Sequence, residues 1–139
     1  MISRRKARRL VVQALYSWDV GHAAPETLLG FPWYEAEDPV DLDFPRLMTR
    51  GAIERQPDID ELISGQLEHW DITRLARVDL AILRMGVYSL RYQPDIPAQV
   101  TIDEAVELAK ELSTDDAFRF INGVLDGLRR RLAHGAGES

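Results

Sequence analysis

Five cationic side chains lie within the first nine residues, and they are the side chains best suited to a chemical role. Arg4, Arg5, Lys6, Arg8 and Arg9 occur there without an acid, so this basic arm carries a charge of +5. The remaining 130 residues hold 12 basic and 23 acidic side chains, and the net charge is -6. A local positive charge on an acidic body attracts polyanions, and nucleic-acid phosphates are the expected ligands.

The alternative interpretation of the basic arm is an ordinary solvated charge run, since arginine favours helices. Cations near a helix N-terminus, however, oppose the helix dipole at a cost of about 0.3–1 kcal/mol each. Phosphates would offset that cost, which favours contact with a nucleic acid. Gln13 and Tyr16 continue the face of Arg5 and Arg9, and an amide and an aromatic ring suit base edges and stacking in single-stranded RNA. The alternative for Tyr16 is a half-buried core position.

Two other side chains also have a structural and a functional interpretation. Phe120 lies on a flank of the inner face of the last predicted helix, where core packing is the default. It could stack on a base if it faces the basic arm. Asp79 falls within a strongly apolar helix, either as a surface acid beside Arg74 or Arg77 or as an acid that binds a partner. The residues alone leave both pairs of alternatives open.

The sequence lacks the usual constellations of an enzyme. It has no cysteine, which excludes disulfides and thiolate zinc sites, and its three histidines have no metal-ligand partner at helical spacing. It has no glycine-rich phosphate loop, and its acidic pairs at 103–104 and 115–116 sit at predicted helix starts, where capping explains them. We therefore predict no catalytic residue, metal, cofactor or small-molecule substrate.

The composition also bears on localisation. No apolar run approaches the roughly 20 residues of a membrane span, and no apolar segment of signal-peptide type follows the first residues. We therefore expect a cytoplasmic protein without membrane association.

The elements that must position these residues are predicted to be helices. The first spans 3–20, with Ser3 as its cap, Gly21 as its end and an apolar stripe facing inward. The stripe consists of Ala7, Leu10, Val11, Ala14, Leu15 and Trp18. Residues 21–45 contain four prolines and many acids, which predicts a loop with one short helix near 26–29, anchored by Phe31, Trp33 and Tyr34.

Helical spacing continues through the rest of the chain. Helices are predicted over 46–55, 58–69 and 71–92, the last of these buried on most sides. Thr101 and Glu104 predict a capping box, with Val100 and Ala105 as a hydrophobic staple, for a helix that ends near 112. The last helix is predicted to begin at 113–116 and to end near 132. The fold class is therefore all-α, a compact bundle of about six to seven helices.

Four blocks of the sequence resemble the NusB family of transcription antitermination proteins. They are RRKAR at 4–8 continued by VQALYSW at 12–18, VDLAILR at 78–84, IP at 96–97 with IDEAVELAK at 102–110, and FINGVLD at 120–126. Their order and spacing hold over nearly the whole chain, and together they are specific. The stretch 25–43, rich in proline and acids, departs from the family pattern and puts the second helix in doubt.

The resemblance implies a NusB-like fold of two packed subdomains, with residues 1–134 as a single RNA-binding domain and 135–139 as a disordered tail. It implies a factor that binds boxA-type single-stranded RNA of nascent ribosomal RNA transcripts. The implied protein partners are NusE, a ribosomal small-subunit protein, and the elongating RNA polymerase complex with other Nus factors. RNA would contact the basic arm and Gln13, with Asp116 and Phe120 nearby. Tyr16 and Asp79 would lie towards NusE.

Two other functions compete with antitermination. One is a free-standing RNA-binding domain related to ribosomal RNA methyltransferases, which use a similar helical fold. A catalytic domain would have to follow Leu132, and because only seven residues remain we expect the antitermination factor instead. The other is a helical protein-interaction scaffold with an incidental basic arm, which salt-dependent RNA binding would distinguish.

Overall fold

The computed structural model describes residues 1–68 and 71–138, and over these ranges the protein is built from helices without a strand. The seven α-helices are α1 (Arg4–Gly21), α2 (Pro25–Leu28), α3 (Asp43–Glu54), α4 (Gln56–Ser64), α5 (Arg77–Tyr92), α6 (Ala98–Leu112) and α7 (Ala117–Glu138). Two 3-10 segments, Pro39–Leu42 and Ile72–Arg74, precede α3 and α5. The predicted all-α fold class is confirmed. Across the described ranges, no helix combines the length and the apolar composition that a bilayer span requires.

Helix α5 is the centre of the bundle, as its sequence predicted. Every residue from 80 to 89 is buried, and α5 packs against α1, α3, α4, α6 and α7. Gly86 permits the close approach of α7, because a Cβ at this position would lie 2.9 Å from Cδ1 of Leu125. A helix surrounded on all sides must be apolar on nearly all sides, which explains the density of large aliphatic residues in this part of the chain.

One charged residue, Arg84, lies inside this apolar helix and is 7% exposed. Its Nε and Nη2 donate to the two carboxylate oxygens of Asp60 on α4, at 2.9 and 2.8 Å. Asp19 on α1 lies 3.8 Å from Arg84 Nη1 and also pairs with Arg77 at 3.3 Å. The matched acceptors offset the cost of burying this guanidinium. The network therefore fixes α1 and α4 relative to α5.

Helix α1 begins as predicted and ends one residue later than predicted. The Ser3 hydroxyl accepts a hydrogen bond from the Lys6 backbone N–H at 3.1 Å, which is an ordinary N-cap. Five of the six residues of the predicted apolar stripe are buried, and Trp18 is half-buried. The predicted terminator Gly21 is wrong, because His22 takes the left-handed conformation, with φ of 52°. Histidine is among the residues that adopt this conformation at modest cost.

The predicted capping box at Thr101 is also wrong. Helix α6 begins at Ala98, directly after Pro97, whose fixed φ favours a helix start. Thr101 is therefore inside the helix and fully buried, and Val100 is 43% exposed rather than part of a staple. Glu104 is free of any capping role, and its carboxylate faces α1.

The remaining boundaries differ by up to six residues, and α5 begins at Arg77 rather than at the predicted 71. Helix α3 begins three residues before the predicted 46, and α4 begins two residues before the predicted 58. Helix α7 continues to Glu138, past the predicted end near 132. Helix α4 ends at Ser64, before its predicted end at His69, which lies outside the described residues together with Ser139 at the end of the predicted tail. The prediction of a tail at 135–139 stays a prediction.

The proline-rich segment between α1 and α3 builds a small second core. Leu28, Phe31 and Leu42 bury their side chains against Leu10 and Ala14 of α1. Phe31 is fully buried even though its backbone is left-handed, with φ of 47°. This burial confirms that Phe31 anchors the segment, and the short helix predicted near 26–29 is α2.

Two glycine substitutions test the packing of the bundle. A Cβ at Gly51 of α3 would collide with the buried Tyr88 ring, whereas a Cβ at Gly123 of α7 would meet nothing within 4 Å. We expect Gly51→Ala to lower the free energy of unfolding by about 1–3 kcal/mol through overpacking. Gly123→Ala should raise it by about 0.5–1 kcal/mol through helix propensity. Urea denaturation of both variants measures these changes, and equal effects would contradict the packing described here.

Candidate nucleic-acid interface

The exposed face of α1 brings together Arg5, Arg9, Gln13 and Tyr16, as the helical spacing predicted. Arg5 has half of its side chain exposed, Arg9 and Gln13 are partly exposed, and Tyr16 is 41% exposed. Helix α6 lies along one side of this face, and residues 33–34 lie along the other. The face is thus a shallow strip, with one wall of acids and one wall of aromatic rings.

The acidic wall neutralises part of the basic arm. Arg5 Nε donates to Glu104 Oε2 at 3.0 Å, and Arg9 Nη2 lies 2.7 Å from a carboxylate oxygen of Glu111. The hydrogen bond from Arg5 to Glu104, and then the charge of that carboxylate, raise the pKa of the Arg5 guanidinium above its usual range. These acids offset the helix-dipole cost that the sequence argument assigned to phosphates. The helix-dipole cost therefore no longer favours RNA binding, although the cations remain at the surface.

The sequence shows that the two acids share one face of a helix, but not that this face meets the basic arm. Glu104 and Glu111 are seven residues apart, so they lie two turns apart on one face of α6. Arg5 and Arg9 are one turn apart on α1. No pattern within either helix, however, indicates that α1 and α6 pack side by side.

The aromatic wall was assigned only an anchoring role by the sequence analysis. Trp33 Nε1 donates to Gln13 Oε1 at 2.8 Å, and the indole ring is 42% exposed. The Trp33 ring also packs edge-on against Phe31, with centroids 5.6 Å apart. Lys6 Nζ lies 5.7 Å from the centroid of the Tyr34 ring. Trp33 therefore fixes the amide of Gln13 and presents a free ring surface beside it.

Arg4 and Arg8 turn away from this strip towards α3. The Arg4 guanidinium carbon lies 3.8 Å from the centroid of the Phe44 ring, which is close cation–π contact, and Arg4 remains exposed. Arg8 is only 2% exposed, and burial lowers the pKa of its guanidinium. The prediction that Arg8 contacts RNA is therefore corrected, because its position on the helix directs it into the interface between α1 and α3.

Beyond Gln13 the strip opens into a cleft of about 780 Å³. Tyr16 and Trp33 stand at its rim, and Val12, Val78 and Leu112 line it. Asp79 is one residue from this lining, and its carboxylate accepts a hydrogen bond from Ser113 Oγ at 2.5 Å. An internal donor thus satisfies Asp79, and no ion pair joins it to Arg74 or Arg77 within the described residues.

Asp116 and Phe120 lie one turn apart at the start of α7. Asp116 is exposed, and Phe120 is half-buried against the main core. Among the described residues, no hydrogen bond or ion pair joins Asp116 to α1, and α6 packs against both helices. Their proximity to a bound RNA stays a prediction. The described side chains also contain no cluster of three histidines or acids that could hold a metal ion.

Comparisons with known proteins give one consistent result. The NusB family model matches residues 5–130. A transcription antitermination protein NusB from Treponema pallidum subsp. pallidum is 49% identical over 132 residues, which are 93% of this chain and 94% of the relative. The solved structure of T. maritima NusB is 37% identical, covers 93% of this chain and 92% of its own, and has a TM-score of 0.86.

A third similarity concerns the fold alone. It is to a chain from the structure of antitermination factors NusB and NusE in complex with dsRNA. That chain is 24% identical, with a TM-score of 0.79, and the match covers 92% of this chain and 96% of that chain.

The burial of Arg8 predicts a contrast between two arginines of the arm. Arg8→Ala should lower the free energy of unfolding by about 1–3 kcal/mol, because the buried alkyl stem loses its packing. Arg8→Met should restore most of this loss, since it keeps the stem and removes a desolvated charge. Arg5→Ala should change stability by about 0.5 kcal/mol or less, as exposed ion pairs contribute little. Denaturant titration of the three variants gives the comparison, and a loss with Arg5→Ala as large as that with Arg8→Ala would contradict it.

Proposed function

The chain belongs to the NusB family, and from this membership we propose that it is a transcription antitermination factor that binds boxA-type single-stranded RNA of nascent ribosomal RNA transcripts together with NusE. The observation that carries the RNA-binding part of this proposal is the strip on α1. It joins cations, an oriented amide and an exposed indole on one continuous face. Phosphates, base edges and base faces are the three groups that such a set recognises.

The cations proposed to contact phosphates are those that remain at the surface. Arg4, Arg5 and Lys6 are exposed, and Arg9 is partly exposed. Gln13 would read a base edge, and Trp33 offers a ring on which a base can stack. Asp116 and Phe120 are proposed to lie further along the RNA path on α7. Arg8 packs between α1 and α3 beneath this surface and is not proposed to contact RNA.

RNA must compete with the acidic wall for two of these cations. Glu104 and Glu111 already occupy the guanidinium groups of Arg5 and Arg9. When a phosphate replaces either carboxylate, the free energy gained is the difference between the arginine–phosphate and the arginine–carboxylate ion pairs. It is not the full value of the new pair. The protein alone should therefore bind RNA modestly, and a second protein that extends the RNA surface would increase the affinity.

The proposed position of NusE is the cleft beside Tyr16. Tyr16 is 41% exposed and stands at the rim of a cleft with a mixed aliphatic, aromatic and polar lining, which suits a protein partner. Asp79 is the weaker candidate, because Ser113 already supplies its donor. The fold neighbour that contains both NusE and RNA is consistent with this partner.

The wider setting is also a proposal. Relatives are named as antitermination factors, which is a non-catalytic role, and we infer that this chain likewise has no enzymatic activity. It would act in the cytoplasm as part of the elongating RNA polymerase complex with other Nus factors. Residues 1–134 would serve as one RNA-binding domain.

RNA binding by the strip should depend strongly on salt. With three to four phosphates neutralised, log affinity should fall against log salt with a slope of about -2 to -3, at about -0.7 per phosphate for a single strand. Changing both Arg5 and Arg9 to Ala should flatten this slope by about 1.4. Fluorescence anisotropy with a boxA-like and a scrambled RNA, with and without NusE, provides the measurement.

The matched control for this double variant changes Arg50 and Arg74 to Ala, since both are exposed and lie outside the strip. It removes the same charge and should leave the slope nearly unchanged. A slope unaffected by the Arg5 and Arg9 changes, or affected equally by the control, would remove the strip from the RNA interface.

Neutralising the acidic wall should have the opposite effect. We expect Glu104→Gln to strengthen RNA binding about two- to fivefold, the range that an exposed ion pair of up to about 1 kcal/mol allows. Asp103→Asn is the control, because Asp103 has the same charge on the same helix but accepts a hydrogen bond from Gln99 instead of Arg5. If both variants strengthen binding equally, the effect is one of net charge and not of competition for Arg5.

A further inference from the structure

A second groove lies between the end of α5, the loop that follows it and the C-terminal half of α7. Its volume is about 660 Å³, which is within the usual range for sites that accept a ligand or a partner side chain. Leu90, Pro94, Ile96 and Leu132 give it an aliphatic lining. Neither the strip on α1 nor the cleft beside Tyr16 shares a lining residue with it.

Arginines stand on two sides of this groove. Arg91 comes from α5, and Arg129 and Arg131 come from α7. Arg129 pairs with Asp126 at 2.6 Å, but in the described part of the chain no carboxylate lies within 4.0 Å of Arg91 or Arg131. No acid is among the described residues that line the groove. This excess of positive charge occurs on a protein whose net charge is -6.

We propose that this groove is a docking site for an acidic amphipathic helix of a partner protein. The aliphatic lining would accept the apolar face of such a helix, and Arg91 and Arg131 would pair with acids on its flanks. Because the groove is positively charged, an acidic helix matches it better than a basic or a neutral one. The site lies apart from the RNA-binding strip, so it would let the protein contact RNA and a further protein at the same time.

The lining also distinguishes a protein partner from a nucleic acid. Surfaces that bind single-stranded RNA place aromatic rings beside their cations so that bases can stack. The strip on α1 has such rings in Tyr16 and Trp33, whereas the described lining of this groove has none. Cations around aliphatic side chains suit an amphipathic helix with leucines on one face and glutamates on the other.

The test uses the whole chain and a synthetic peptide of about 18 residues, with leucines on one helical face and glutamates on the other. We expect saturable binding by fluorescence anisotropy, with amide shift changes at Leu90, Ile96 and Leu132 in NMR spectra. Changing Arg91 and Arg131 together to Glu should weaken binding by at least about tenfold through like-charge contact. The control changes the exposed Arg50 and Arg74 to Glu and should stay within about twofold.

Two further measurements test for other occupants of the groove. A peptide with lysine in place of glutamate should not bind, and analytical ultracentrifugation should show the same mass for the wild-type and the Arg91/Arg131 variant. Absence of saturable binding up to about 1 mM acidic peptide, or equal loss with the control pair, would overturn the proposal. So would loss of scrambled-RNA binding in the Arg91/Arg131 variant as large as that in the Arg5/Arg9 variant, since the groove would then bind nucleic acid. Self-association that only this variant abolishes would assign the groove to a second copy of the chain.

Discussion

A guanidinium buried in the middle of the central helix is the interaction on which the arrangement of this bundle depends. Arg84 lies on a helix that is apolar on nearly every side, and a charge there is tolerated only with matched acceptors. Asp60 supplies two of them from α4, and Asp19 approaches from α1. Apolar packing alone allows helices to slide or rotate at modest cost, whereas a two-pronged ion pair has one geometry. The Asp60 pair therefore fixes α4 against α5, and Asp19, which pairs with Arg77 and lies near Arg84, holds the C-terminal end of α1 and so helps to set the direction in which the basic arm faces.

Once the rotation of α1 is fixed, the helix period divides its arginines between three environments. Arg5 and Arg9 face the acids of α6, Arg4 lies over Phe44, and Arg8 is drawn into the interior. The basic arm, which is a uniform run of cations in the sequence, is therefore a set of residues with different roles. The residues on the outer strip and the exposed Arg4 and Lys6 remain available to a polyanion.

Sequence patterns predicted what depends on residues close together in the chain. The all-α class, the buried α5, the Ser3 cap and the outer strip all follow from helical periodicity and local chemistry. The capping box at Thr101 failed because Pro97, four residues before the predicted cap, starts the helix earlier. The contacts of Glu104 and Glu111 with the arm, and of Trp33 with Gln13, join residues 20 to 102 positions apart. Such contacts depend on which helices pack together, and no local pattern contains that information.

The acids of α6 give a physical reason why an acidic protein can carry a selective RNA site. An unpaired row of arginines would bind any phosphate chain, because phosphate contacts carry no sequence information. When carboxylates already occupy two of the arginines, phosphate exchange contributes little net free energy, and binding then requires additional contacts. The oriented amide of Gln13 can supply a contact that differs between bases, and the exposed ring of Trp33 can add stacking that any base provides. On the proposed RNA-binding strip, the internal ion pairs would thus lower the affinity for all RNA and raise the share of the binding energy that depends on sequence.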